Sequence, residues 1–170
     1  MKSLFTLLIA SASLVTGAFD DNKLPSATVK TLDGSSVNTA RISNNGKPII
    51  MVFWATWCLS SVKELDAIAD YYADWQKQTG VKLVAIATDD TRSISKVVTT
   101  VKTKDWQYEV FLDANQDFKR LMNVNLCPHT VLIDNSGNIV WQSTSFLNGS
   151  EDVLFEKVKT LAKGEQLKND

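Results

Sequence analysis

The 170-residue chain is poor in the residues that usually announce a small protein's chemistry: it has two cysteines, one histidine and three prolines. Two cysteines are too few for a disulfide-dense scaffold, and with one histidine they exclude a multi-cysteine zinc framework. Neither sign of charge dominates. The net charge of −1 leaves no electrostatic footprint for nucleic acid. A hydrophobic share of 44% beside 22% charged residues excludes a disordered or collagen-like chain. Long apolar runs are scarce as well: residues 4–15 form the longest, and twelve residues are short for a bilayer span.

That run carries an address. Lys2 precedes it and Thr16-Gly17-Ala18 follow it, the charged, apolar, small-residue order of a secretory signal. The sequence therefore predicts a signal peptide over residues 1–18 and one domain over 19–170, exported to the periplasm or secreted. A retained anchor is the alternative reading of the same segment. In an oxidising compartment a cysteine pair is either a structural disulfide or a redox site.

The rest of the chain alternates strand and helix patterns. Residues 27–32 read as an outer strand ending at the turn Asp33-Gly34. Ile49-Ile50-Met51-Val52-Phe53-Trp54 is an unbroken apolar run, the habit of a strand buried on both faces. A helical pattern follows over 58–78, with Val62, Leu65, Ile68, Tyr72 and Trp75 on one stripe and Gly80 as its stop. Further strands are expected over 81–88, 108–112, 130–134 and 139–143, the last two joined as a hairpin by Asn135-Ser136-Gly137-Asn138. Helices are expected near 94–101, 117–122 and 151–163. This order predicts a mixed α/β sandwich.

Cys58 falls where a buried strand turns into the first turn of a long helix. Unpaired N–H groups and the positive helix end stabilise a thiolate there, and the thiolate is the attacking species in disulfide exchange. An inert, buried cysteine is the bland alternative.

Phe53-Trp54-Ala55-Thr56-Trp57-Cys58 resembles the active-site approach of the thioredoxin superfamily, in particular its exported TlpA/ResA-type thiol–disulfide oxidoreductases. Phe111-Leu112-Asp113, residues 118–124, Pro128-His129-Thr130-Val131-Leu132-Ile133-Asp134 and Gly137-Asn138-Ile139-Val140 follow that branch's order. The resemblance implies a thioredoxin-like fold, with a central mixed sheet flanked by helices, an N-terminal extension and a strand–helix insertion near 108–124. It implies that Pro128 is a cis-proline shaping the substrate site, that Trp57 flanks and shields the thiol, and that no cofactor is needed. Its partners would be protein or small-molecule disulfides and an unidentified electron donor.

One departure stands out. The family motif Cys-x-x-Cys reads Cys58-Leu59-Ser60-Ser61 here, so the resolving thiol is missing from its usual place. Ser61 is either a hydrogen-bond donor to the Cys58 thiolate or a plain polar residue of the first turn. The second cysteine, Cys127, precedes Pro128, where the resemblance places it beside Cys58. Three readings stay open: a relocated redox dithiol with Cys127 as resolving partner, a static disulfide, or an incidental Cys127 with Cys58 a lone nucleophile. Glu64 matches a family glutamate and is read either as a proton shuttle or as an acid complementing the helix dipole, the latter being favoured. Val52 replaces the buried aspartate of ordinary thioredoxins. Two further functions compete with exchange: a non-catalytic binding module, and Cu(I) handling by Cys58, Cys127 and His129, although strand alternation points His129 away from the thiols.

Overall fold

The structure, a computed structural model, describes residues 22–168. The proposed signal segment lies outside them. Seven strands form one sheet in the order β2-β1-β5-β4-β3-β6-β7. They are β1 (Thr28–Thr31), β2 (Ser36–Asn38), β3 (Ile49–Trp54), β4 (Lys82–Ala87), β5 (Glu109–Leu112), β6 (His129–Ile133) and β7 (Ile139–Ser143). The helices are α1 (Leu59–Thr79), α2 (Ile94–Thr103), α3 (Asp117–Leu121) and α4 (Ser150–Ala162).

All six residues of β3 are buried, as an unbroken apolar run requires of a central strand. Its neighbours differ in direction: β4 pairs with it in parallel and β6 antiparallel. Alternation then divides the core. Ile50, Val52 and Trp54 join Leu65 and Ile68 of α1, Val97 of α2 and Leu154 of α4 on one face. Ile49, Met51 and Phe53 join Phe118 of α3 and Val29 of β1 on the other. The sheet is therefore covered on both sides, and the expected sandwich is what forms.

Helix α1 ends where the sequence expects. Gly80 takes the left-handed conformation at φ 69°, and its N–H closes the last turn on the Gln76 carbonyl. The β6–β7 loop is a hairpin in which the Asp134 carboxylate accepts the Ser136 and Asn138 N–H groups, each at 2.8 Å.

The expectation of an outer strand over residues 27–32 needs correction. Strand β1 lies between β5 and β2, and the edge is β2. A three-residue strand, Ser-Val-Asn, is too short to show periodicity, so the hairpin it forms with β1 left only its Asp33-Gly34 turn in the sequence.

The functional residues gather at one end of this sheet. The chain leaves β3 there to start α1 at Cys58, leaves β4 there at Asp89, and enters β6 there through Cys127 and Pro128.

Candidate functional site

Cys58 is the residue that caps the start of α1, yet its side chain makes no capping hydrogen bond. The sulfur is left for chemistry, among N–H groups that a helix start leaves unpaired. The loop before it is held from β4. The Asp89 carboxylate accepts the Thr56 N–H at 2.9 Å and the Thr56 hydroxyl at 2.5 Å. Within the loop, the Cys58 N–H donates to the Ala55 carbonyl at 3.0 Å. Only 8% of Cys58 is exposed.

The Cys127 thiol lies close enough to Cys58 for each to shift the other's ionisation. Both are free thiols, and the Cys127–Pro128 peptide bond is cis. Their environments split them. Burial opposes ionisation of Cys58, but its polar neighbours Cys127, Ser60 and Ser61 together outweigh it, so the Cys58 thiol lies below its ordinary value. Burial raises the Cys127 thiol, and its hydrogen bond to Cys58 and the Cys58 charge push it further, to about 12. The two settings differ in sign: ionisation is eased at Cys58 and opposed at Cys127.

The two serines divide the work differently from the sequence reading. The Ser61 hydroxyl donates to the Cys58 carbonyl at 2.7 Å and accepts the Ala55 N–H at 3.4 Å, so it ties the active loop together. Ser60, which sequence reasoning passed over, puts its hydroxyl 3.4 Å from the Cys58 sulfur. Its signal was its place in the first helical turn, two residues after the nucleophile.

Glu64 corrects a favoured expectation. An acid that complements the helix dipole belongs in the first turn, where α1 has none; Glu64 lies beyond it, is 5% exposed and accepts a 2.5 Å hydrogen bond from the Thr130 hydroxyl. Burial raises its carboxyl to about 7 against the opposing Thr130 bond. The carboxyl edges a cavity of about 150 Å³ shared with Ile68, Trp141 and Leu154. Thr130 pairs with Val52 across the β3–β6 ladder. Helix α1 thus supplies a buried carboxyl beside the position where the resemblance has a strand-borne aspartate.

Trp57 is 66% exposed and stands beside Cys127 on the wall of a surface groove. Pro128 is buried. His129 points elsewhere: its Nε2 pairs with Gln142 Oε1 at 2.7 Å, and its ring meets Phe53 edge-on. Among the described residues no three His, Cys, Asp or Glu side chains are grouped to hold a metal, so His129 does not join the two cysteines in a three-ligand set.

A mixed sheet covered on both faces, a cysteine at the first helix turn after β3 and a cis-proline entering β6 define a protein of thioredoxin-like fold. The chain belongs to the AhpC/TSA family, whose sequence pattern matches residues 21–142. It is similar to the thiol–disulfide oxidoreductase ResA of Oceanobacillus iheyensis, 29% identical over an alignment of 149 positions that covers 81% of this chain and 76% of that one. ResA of Bacillus cereus is 28% identical over 68% of this chain, and the match spans 64% of that protein, just under two thirds of its length. Among solved structures, an uncharacterised thioredoxin-like protein from Porphyromonas gingivalis superimposes with a TM-score of 0.75 at 42% identity, covering 85% of this chain and 94% of that one.

Proposed function

We propose that the protein is an exported thiol–disulfide oxidoreductase whose working pair is Cys58 and Cys127. The observation that carries this is the opposed setting of two facing thiols, one lowered and one raised. ResA-type relatives, named as thiol–disulfide oxidoreductases, support the reaction class. The signal-like segment over residues 1–18 supports export to the periplasm or the cell exterior.

The Cys58 thiolate attacks one sulfur of a substrate disulfide, forming a mixed disulfide and releasing the other sulfur as a thiolate. Loss of the Cys58 charge removes one of the causes that hold the Cys127 proton in place. Cys127 gives its proton to the departing thiolate and attacks the Cys58 sulfur. The Cys58–Cys127 disulfide forms and the remaining substrate thiolate leaves, taking a proton from solvent. Two electrons have passed from the protein dithiol to the substrate disulfide, and an external dithiol returns them. Trp57 and the Pro128 turn flank the reacting sulfurs, Ser60 and Ser61 hold the thiolate and its loop, and Glu64 supplies a group that titrates near neutrality inside the fold.

Intact mass and thiol counting test the pair. Mild oxidation of the folded protein is expected to remove two hydrogens and both thiols. In Cys127→Ser, a disulfide substrate is expected to remain attached to Cys58, and in Cys58→Ser to leave no adduct. Two thiols that survive oxidation together would overturn the pairing.

A further inference from the structure

The surface beside Cys127 is a groove with a built charge. One part, about 240 Å³, is walled by Phe53, Trp57, Val124 and Leu126 together with Cys127 and Lys119. A second part, about 300 Å³, is lined by polar side chains including Gln116, Asn123 and Arg120. Lys119, Val124 and Asn125 belong to both parts, so the groove runs from the thiol past Lys119. The first part is apolar and the second is not.

Lys119 is half-buried, and among the described residues its ammonium donates only to the neutral Gln116 Oε1, at 3.2 Å. Neighbouring charges are already committed. Arg120 is paired with Asp117. The Asp113 carboxylate accepts the backbone N–H groups of Phe118 and Lys119 at 3.2 and 2.8 Å. Among the described residues, no carboxylate lines either part of the groove. A half-buried ammonium that no lining carboxylate faces is the complement of a carboxylate brought by a ligand.

We propose that this groove receives the stretch of a polypeptide substrate adjoining its reacting cysteine, with an apolar side chain against Phe53, Val124 and Leu126 and an acidic side chain at Lys119. The proposal rests on the reading of Cys58 and Cys127 as the working pair and adds the substrate's character to it. The groove's lining favours a polypeptide over a compact anion. A small anion at Lys119 would leave the apolar part unfilled, and exposed Trp57 and Leu126, at 66% and 61%, form an apolar rim continuous with it. Lys119 is therefore a specificity-determining residue. Its attraction is a long-range charge effect, and salt screens it.

The test uses single-turnover rates of the reduced full chain with peptide–thiopyridyl mixed disulfides. The peptides place leucine next to cysteine and then glutamate, glutamine or lysine. Cys58 attacks the peptide sulfur and releases thiopyridone, the same leaving group in each case. At low salt the glutamate peptide is expected to react about tenfold faster than the lysine peptide, the size expected of one favourable partly buried charge pair. That ratio is expected to shrink at high salt, to approach one in Lys119→Gln and to invert in Lys119→Glu. Equal rates for the acidic and basic peptides in the unaltered protein, or a ratio that persists in Lys119→Gln, would overturn the proposal. Dithiodipyridine, which is small and neutral, separates the two levels. If it too reacts no faster with the protein than with Cys58→Ser, the exchange reading falls and the groove proposal with it. If it reacts through Cys58 while the peptides show no charge preference, only the groove proposal falls.

Discussion

The Thr130 hydroxyl donates to the Glu64 carboxyl at 2.5 Å, joining the strand that follows Cys127 and Pro128 to the helix that starts at Cys58. The bond crosses 66 positions of sequence and links the elements that carry the two thiols. The other carboxyl oxygen, Oε2, is buried without a protein partner, so this end of the side chain pays a desolvation cost whenever it is charged.

That cost makes stability depend on pH. Glu64 titrates near 7 in the folded protein, raised from an ordinary value of 4.5. The folded state therefore binds a proton more tightly than the unfolded chain, and stability from this group falls as pH rises from about 4.5 to above 7. The full loss is about 3 kcal/mol at 1.36 kcal/mol per unit. Urea titrations at pH 5 and pH 8 are expected to show wild type less stable at the higher pH. Glu64→Gln is expected to flatten the difference, because its side chain does not ionise.

The thiols are expected to differ in reactivity. Cys58 lies below its ordinary value and Cys127 is raised to about 12. Iodoacetamide at neutral pH is expected to label Cys58 first, with mass-mapped peptides as the readout. In Ser60→Ala the rise of labelling rate with pH is expected to move upward, since one hydrogen bond to the thiolate is removed. An unchanged profile would show that the 3.4 Å contact does not reach the reactive state.

Asp89→Ala removes both partners of Thr56. A part-buried N–H and a hydroxyl left without acceptors cost about 1–3 kcal/mol, so the melting temperature is expected to drop. The loop bearing Cys58 is also loosened, and the rate of thiopyridone release from dithiodipyridine is expected to fall severalfold. Thermal melting and stopped-flow kinetics read the two effects separately.

Phe118→Ala probes the packing under the groove. Phe118 is fully buried with its ring 5.2 Å from that of Phe53. Its truncation is expected to cost about 3–5 kcal/mol, measured by denaturant unfolding. Loosening α3 also displaces Lys119, so the acidic-peptide preference is expected to weaken in the same variant.

Much of this was written locally in the chain. The apolar run of β3, the stripe and glycine stop of α1, the β6–β7 hairpin and the helix-start position of Cys58 are all patterns within a few turns of sequence. They determined a mixed α/β fold and the place of the first cysteine at a helix start, because period and turn chemistry act over short range. The tertiary structure decided what those patterns do together. Sheet order set Cys127 against Cys58 across 69 positions, and the pairing of β3 with β6 turned Glu64 from an ordinary helix acid into a buried one. Lys119 was one lysine among many until α3 packed beside Cys127. Partnership and burial depend on which distant surfaces meet, and that is fixed by packing rather than by the residues on either side.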